Sequence, residues 1–486
     1  MESLKFKTNF KGWLFWLVFF CGVVSLLSCG TKNPGLVSAK IYLNLTPPDY
    51  EKATEQLQIA IEQEPENAEA HFLLGKIYAQ KKLYEEMLEE FQRAEGGKLK
   101  PEQLEELHQI RKQKWTEVLN SGIRLGKKQR QVDQYKLELL ADFSKYPQYK
   151  DSLKAISADL EGAERLTWDT YEMFSQAKPA LEELERTLEK EAVNRYQIAI
   201  SIDSTRYEPF VNLAAEYVGK DELDKALGYY QKAYQLKPDD SNVMNDYAIT
   251  LLSAQKFEQA LNLYERILEK DPTNVNALVN LAMIYARKGE AEKALDTYSR
   301  VISIDPEYRD AYFNRGLLLL SKTQDKISVL KSYQDSLKNN PKDRMLLSRY
   351  QSEQEEYNLL FVKTEGDFEK TTQIDPGDKD AFFHLGLLYL SRAQVLESGE
   401  GQNDDFNSAE GFFKKSLELD PQDTESMKYL GFSLLSQKKW EEASLNLQRL
   451  VESDPTDREA WGYLAIAYAR LGKKDKAEEA FKKSGR

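Results

Sequence analysis

Apolar residues recur at helical spacing through most of this chain. Leu278, Leu281, Ala282 and Tyr285 mark one face of a helix, and Ala294, Tyr298 and Val301 mark a face of the next. Each such pair closes on a proline, as at Asp271-Pro272 and Asp305-Pro306, where the residue before the ring is steered away from helix. The pattern is periodic. Pro238, Pro272 and Pro306 stand 34 residues apart, and so do Ala226, Ala260 and Ala294, and Tyr230, Tyr264 and Tyr298. Three columns in register define an internal repeat of two helices. The prolines continue at 341, 376, 421 and 455, at intervals of 35, 35, 45 and 34.

Two irregularities interrupt the array. The unit at 344–378 is degenerate, because "MLLSRYQSEQEEY" has no small residue at the usual place. The interval of 45 carries an insertion near 393–407, where "ESGEGQNDDF" predicts a solvated acidic loop between two helices, without the ligand pattern of an EF-hand. Upstream, Ala192, Tyr196 and Ala199 predict the closing helix of a partial unit. Residues 102–190 are helical in composition but show no such columns, so irregular helix hairpins or a hinge are expected there.

The columns resemble the tetratricopeptide repeat. The last unit carries Trp461, Leu464, Ala465, Tyr468, Ala477 and Phe481, and an early one carries Leu74, Gly75, Tyr78, Phe91 and Ala94, with Met87 where alanine is usual. The resemblance covers 51–101 and 192–486. It implies an all-α fold, an α-solenoid of helix hairpins wound into a right-handed superhelix. The organisation expected is residues 1–28 as a signal peptide, 29–48 as a lipidated tether, 49–101 as N-terminal repeats, 102–190 as irregular hairpins, and 191–486 as the main array.

The N-terminus sets the address. Lys5, Lys7 and Lys11 precede an apolar segment from Trp13 to Leu27, the layout of a secretory signal. Its 15 residues fall short of the roughly 20 that span a bilayer. Leu26-Leu27-Ser28-Cys29 resembles the lipobox of bacterial lipoproteins, which implies acylation of Cys29 and a lipid anchor in the cell envelope, at the outer membrane on its periplasmic or surface face. The rival reading is an uncleaved anchor helix carrying a regulatory subunit with a cytoplasmic array. The other cysteine, Cys21, leaves with the cleaved peptide in the first reading, and no disulfide is then expected.

A net charge of −13 argues against nucleic acid, since phosphate contacts need clustered cations. The basic group Arg124, Lys127, Lys128 and Arg130 lies among acidic neighbours and reads as a solvated helix turn. "GIRLGKK" at 122–128 has three residues between its glycines and no Ser or Thr after Lys127, which excludes a Walker A loop. The three histidines, His71, His108 and His384, fall in no metal-ligand spacing, and His71 occupies a core position. No enzyme, cofactor or metal is expected.

What remains is protein binding. The resemblance places the residue before the motif leucine in the concave groove: Asn212, Asp246, Asn280 and Asn314 in four successive units, then His384. Carboxamides both donate and accept, so such a ladder, with Asn245 beside it, suits an extended peptide backbone. Ile249, Met283 and Phe313 would form its apolar wall, with Val211, Ala215, Val279 and Leu317 nearby. The Lys and Asn arrangement by which some relatives clamp a chaperone's terminal carboxylate is missing. Partners expected are other proteins of an envelope complex, and a second copy docking at the C-terminal end. Acyl labelling tests the address: wild-type protein incorporates labelled fatty acid and Cys29→Ala does not, whereas equal labelling of both excludes the lipobox.

Overall fold

The computed structural model describes residues 33–158, 160, 173–394 and 400–485. Cys29, the expected signal peptide and the first part of the tether lie outside the described residues. Within them the chain forms 21 α-helices and no strand, the all-α solenoid expected from the repeat. It divides into two compact units between Ala254 and Gln255.

The first unit contains α1 (Pro34–Leu43), α2 (Tyr50–Gln63), α3 (Ala68–Lys81), α4 (Tyr84–Gly96), α5 (Pro101–Ala141), α6 (Tyr146–Ala158), α7 (Phe174–Ile202), α8 (Glu208–Gly219), α9 (Leu223–Leu236) and α10 (Ser241–Ser253). The second contains α11 (Phe257–Lys270), α12 (Val275–Arg287), α13 (Ala291–Ile304), α14 (Arg309–Asn339), α15 (Arg344–Ile374), α16 (Lys379–Ala393), α17 (Glu400–Leu419), α18 (Thr424–Ser436), α19 (Trp440–Ser453), α20 (Arg458–Arg470) and α21 (Lys474–Ser484). From α11 to α21 each helix packs on the next, the nearest-neighbour order of a repeat array.

The Asp-Pro column has a local cause. Asp271 ends α11, and its carboxylate accepts from the Thr273 backbone N–H at 3.0 Å. Asn274 then caps α12, its side chain accepting from the Ala277 N–H at 3.0 Å. The same turn recurs at Asp454 and Asp457, where the second aspartate caps α20 through the Ala460 N–H. In several short hairpins one residue of the turn takes the left-handed conformation, such as Gly289 (φ 77°) and Gly472 (φ 73°).

Within a hairpin, a small residue on one helix faces an aromatic ring on the other. A Cβ on Gly75 would lie 2.5 Å from the Phe91 ring, one on Gly386 would lie 2.6 Å from Phe413, and one on Gly122 would lie 2.7 Å from Tyr196. Ala282 and Tyr298 share a core cluster in the same way. Phe91, Phe413 and Tyr196 are themselves almost wholly buried. The glycine pair of "GIRLGKK" is thus a close-approach site inside α5, with Tyr196 of α7 seated over it.

Four expectations differ from what the chain does. Residues 34–43 of the expected tether are a helix, capped by Asn33, started by Pro34, and buried at Gly35 and Ala39 against α2. A Cβ on Gly35 would stand 2.7 Å from the Gln56 carbonyl, so that contact needs glycine. The two units between Pro306 and Pro376 are one hairpin of two 31-residue helices, α14 and α15. Their apolar stripes, Leu320, Ile327 and Leu330 against Tyr357, Phe361 and Phe368, run through both places where a turn was expected. Pro341 consequently lies in the turn between long helices. The insertion is helical from Glu400, because Asp405 is buried and takes two hydrogen bonds from Arg392, at 2.8 and 2.6 Å. Residues 395–399 of it lie outside the described residues. Finally, the boundary expected at 191 falls inside α7, whose partner is the 41-residue α5.

The small-against-large contacts predict substitutions of opposite sign. Gly386→Ala should lower stability by about 1–3 kcal/mol, because overpacking against Phe413 outweighs helix propensity. Gly366→Ala, in a helix interior with open space around it, should raise stability by up to about 1 kcal/mol. Urea midpoints of the two variants against wild type are the check.

Candidate interaction site

Each expected groove residue lies within a helix. In the first unit, Asn212 is on α8, and Asn245, Asp246 and Ile249 are on α10. In the second, Asn280 and Met283 are on α12, and Phe313 and Asn314 are on α14. Asn212 turns back on its own helix, its Nδ2 donating to the Glu208 carbonyl at 2.8 Å, and Asn314 does the same to Asp310 at 2.8 Å. Each keeps one N–H and its carbonyl oxygen for other partners. Asn245 reaches the Asp246 carboxylate at 3.5 Å. Burial holds the Asp246 carboxyl above its ordinary range. Ile249 is exposed, while Met283 is half-buried against the core of its own hairpin.

Phe313 and His384 do not stand free. Phe313 meets Phe368 edge-on at 6.0 Å between centroids, and His384 stacks on Phe368 at 5.4 Å. His384 also touches Phe383, and burial holds its imidazole below the usual histidine range. Its Nδ1 is buried without a hydrogen-bond partner.

The structure adds residues that the sequence reading stopped short of. In the second unit the first helices α14, α16, α18 and α20 touch each other in succession, making one wall. The column of Asn314 and His384 continues along it as Tyr429, before Leu430, and Tyr463, before Leu464. Phe383 contacts Tyr429 at 5.8 Å, and Phe432 contacts Tyr463 at 5.5 Å. The carboxamide column therefore becomes aromatic. Its signal was the aromatic residue immediately before the motif leucine in the last two units.

The other two histidines have structural roles. His71 is buried, with Nδ1 at 2.5 Å from Glu90 and Nε2 at 2.8 Å from the Pro65 carbonyl. His108 lies 3.2 Å from Glu95, which also receives both guanidinium nitrogens of Arg111 at 3.0 Å.

Two displaced carboxyls lie in this unit, Asp133 on α5 and Glu216 on α8. The Asp133 carboxyl is pushed up to about 6, by burial first and then by a hydrogen bond with Glu185. Glu216 is raised by burial, as is the Tyr196 phenol. Tyr196 packs over Gly122 and Gly126, and Glu216 lies beside Gly126.

Sequence similarity follows the repeats. Residues 49–102, 251–314 and 430–484 match profiles of the tetratricopeptide repeat. Among solved structures, a tetratricopeptide repeat protein from Parabacteroides merdae is 18% identical, covering 57% of this chain and 92% of its own, with a TM-score of 0.38. YrrB, described as a TPR protein with an unusual peptide-binding site, is 17% identical over 48% of this chain and 95% of its own, with a TM-score of 0.33. PilF of Pseudomonas aeruginosa is 14% identical over 52% of this chain and 95% of its own, with a TM-score of 0.34. No curated protein matches the chain.

Asp133 gives a pH prediction. Its raised value means that the folded chain holds a proton where the unfolded chain, near 3.9, has lost it. The contribution is present at low pH and lost as pH rises through about 6. Asp133→Asn should therefore gain stability over wild type as pH rises from 4.5 to 7, read as a widening gap in urea midpoints.

Proposed function

We propose that this chain is a non-catalytic scaffold of the bacterial cell envelope, anchored through acylated Cys29 and binding extended segments of other proteins along its first helices. The observation that carries the binding part is the wall formed by α14, α16, α18 and α20. Along it a half-buried column runs from Asn314 through His384 to Tyr429 and Tyr463. An extended polypeptide offers backbone donors and acceptors along its length, which carboxamides answer without regard to sequence. Aromatic faces take the apolar side chains between them, with a large contact area and few rotors to immobilise. Asn280 and Met283 on α12 extend this chemistry to the preceding hairpin.

The envelope part is supported by the sequence of Leu26–Cys29 and its basic, then apolar, lead. No helix among the described residues is long and apolar enough to cross a membrane. An acyl chain on Cys29 would supply membrane attachment.

Site-specific photo-crosslinking in intact cells tests the binding surface. A photoreactive residue at Asn280 or Tyr429 should yield a discrete adduct with another protein. One at Glu292, whose side chain is 76% exposed on α13, should yield none. The combined substitution Asn314→Ala, Tyr429→Ala should weaken the captured partner's affinity by about tenfold or more. Equal adducts from Glu292, or unchanged affinity in the double variant, would contradict the reading.

A further inference from the structure

The long hairpin of α14 and α15 carries a surface that the groove reading does not use. A regular hairpin sets its small residue 16 positions before the side chain packed on it, as Gly75 before Phe91 and Gly431 before Leu447. Gly316 of α14 instead meets Phe368 of α15, 52 positions on. Gly316 and Phe368 therefore close one ordinary hairpin, and 36 extra residues stand between its two helices as a helical arm. The neighbours reach only its base. Lys322 is ion-paired with Glu292 at the start of α13, and Arg392 near the end of α16 lies over the Phe361 ring at 3.7 Å. From Lys322 to Asn339, α14 continues for about 26 Å at about 1.5 Å per residue. Leu330 is buried along this stretch and Gln334 donates to the Tyr350 hydroxyl at 3.1 Å, so the two helices of the arm hold each other.

Charge is sorted along the arm. Near the base, Lys326 is ion-paired with both Glu353 and Glu356. The outer part, residues 331–349, sets five cations, Lys331, Lys338, Lys342, Arg344 and Arg349, against two carboxylates, Asp335 and Asp343. That is a net charge of +3 at the end of an arm whose chain carries −13. All seven of these residues are exposed. Lys338 pairs with Asp335, and the Asp343 carboxylate accepts from the Met345 and Leu346 N–H groups. Lys331, Lys342, Arg344 and Arg349 have no ion-pair partner among the described residues. Arg344 opens α15 and Lys342 precedes it, where the helix dipole disfavours a cation, so these two do not serve the helix they adjoin. Beside them Met345 is 68% exposed and Leu347 is 42% exposed.

We infer that the tip of this arm docks on an anionic lipid surface. The cations meet the headgroup phosphates, and Met345 and Leu347 enter the boundary between headgroups and acyl chains. A nucleic acid would answer the charge and leave both apolar side chains in water. A neutral lipid surface would leave the four unpaired cations without a counter-charge. The tip lies beyond Asn314 on α14 and does not rest on the groove reading or on Cys29.

Hydrogen–deuterium exchange of the full chain on lipid vesicles tests the inference, because its readout is local whatever else attaches the chain. On phosphatidylcholine vesicles containing phosphatidylglycerol, amides of 340–349 should exchange at least about threefold more slowly than on phosphatidylcholine alone, each basic residue near such a surface being worth about fivefold in binding. High salt should remove the difference. The double variant Lys342→Glu, Arg344→Glu should also remove it, with a urea midpoint no lower than wild type, since a carboxylate suits a helix start. Met345→Ser, Leu347→Ser should reduce it. Equal exchange on the two kinds of vesicle, or an undiminished difference in Lys342→Glu, Arg344→Glu, would overturn the inference. So would protection by polyglutamate and not by the anionic vesicles, which would assign the tip to an acidic protein.

Discussion

The fold rests on how closely two helices of a hairpin can approach. Where Gly75 meets Phe91, Gly122 meets Tyr196 and Gly386 meets Phe413, the absence of a Cβ on one helix makes room for a ring from the other. The ring fills the gap and is sealed from water, so one contact supplies both the close approach and much of the burial. A single hairpin formed this way still exposes its outer apolar stripes, and only a neighbouring hairpin covers them. Stacking follows from that incompleteness, and the stack leaves the first helices side by side as a wall available to a partner.

Much of this was legible in the sequence, because the contact recurs at a fixed interval. The Ala, Tyr and Pro columns at 34 residues place the small residue, the ring and the turn of each unit, and the Asp-Pro turn with its Asn or Asp cap follows from local chemistry. The long hairpins were not legible. A helical stripe has the same period whether the helix stops after four turns or runs on for eight, so nothing in Leu320, Ile327 and Leu330 announces that α14 continues. The proline columns at 341 and 376 kept their spacing while one of them changed role. Gly122 and Gly126 were visible as a pair, but their meaning depends on Tyr196, 70 or more positions away. The acidic insertion looked solvated because its composition is polar. A buried Asp405 held by Arg392 makes its later part a helix.

The candidate groove was legible as a column and less so as a surface. Position relative to the motif leucine gave Asn212, Asn280 and Asn314 their place on first helices. It did not give the turning of Asn212 and Asn314 onto their own backbones, or the packing of Phe313 against Phe368 and His384. Those depend on neighbours in three dimensions. The aromatic continuation at Tyr429 and Tyr463 was within reach of the same rule and simply lies further along the chain. The column along that wall passes from the Asn314 carboxamide through His384 to the rings of Tyr429 and Tyr463.

The small-for-large contact is the claim on which the stack and its wall both depend, and a double-mutant cycle at Gly75 and Phe91 measures it directly. Gly75→Ala and Phe91→Leu are each expected to destabilise the chain. If the two sites share one space, the double variant will be less destabilised than the sum, with a coupling of about 1 kcal/mol or more in its favour. Strict additivity of the two effects would mean that the ring and the missing Cβ do not compete for the same volume, and would contradict the account.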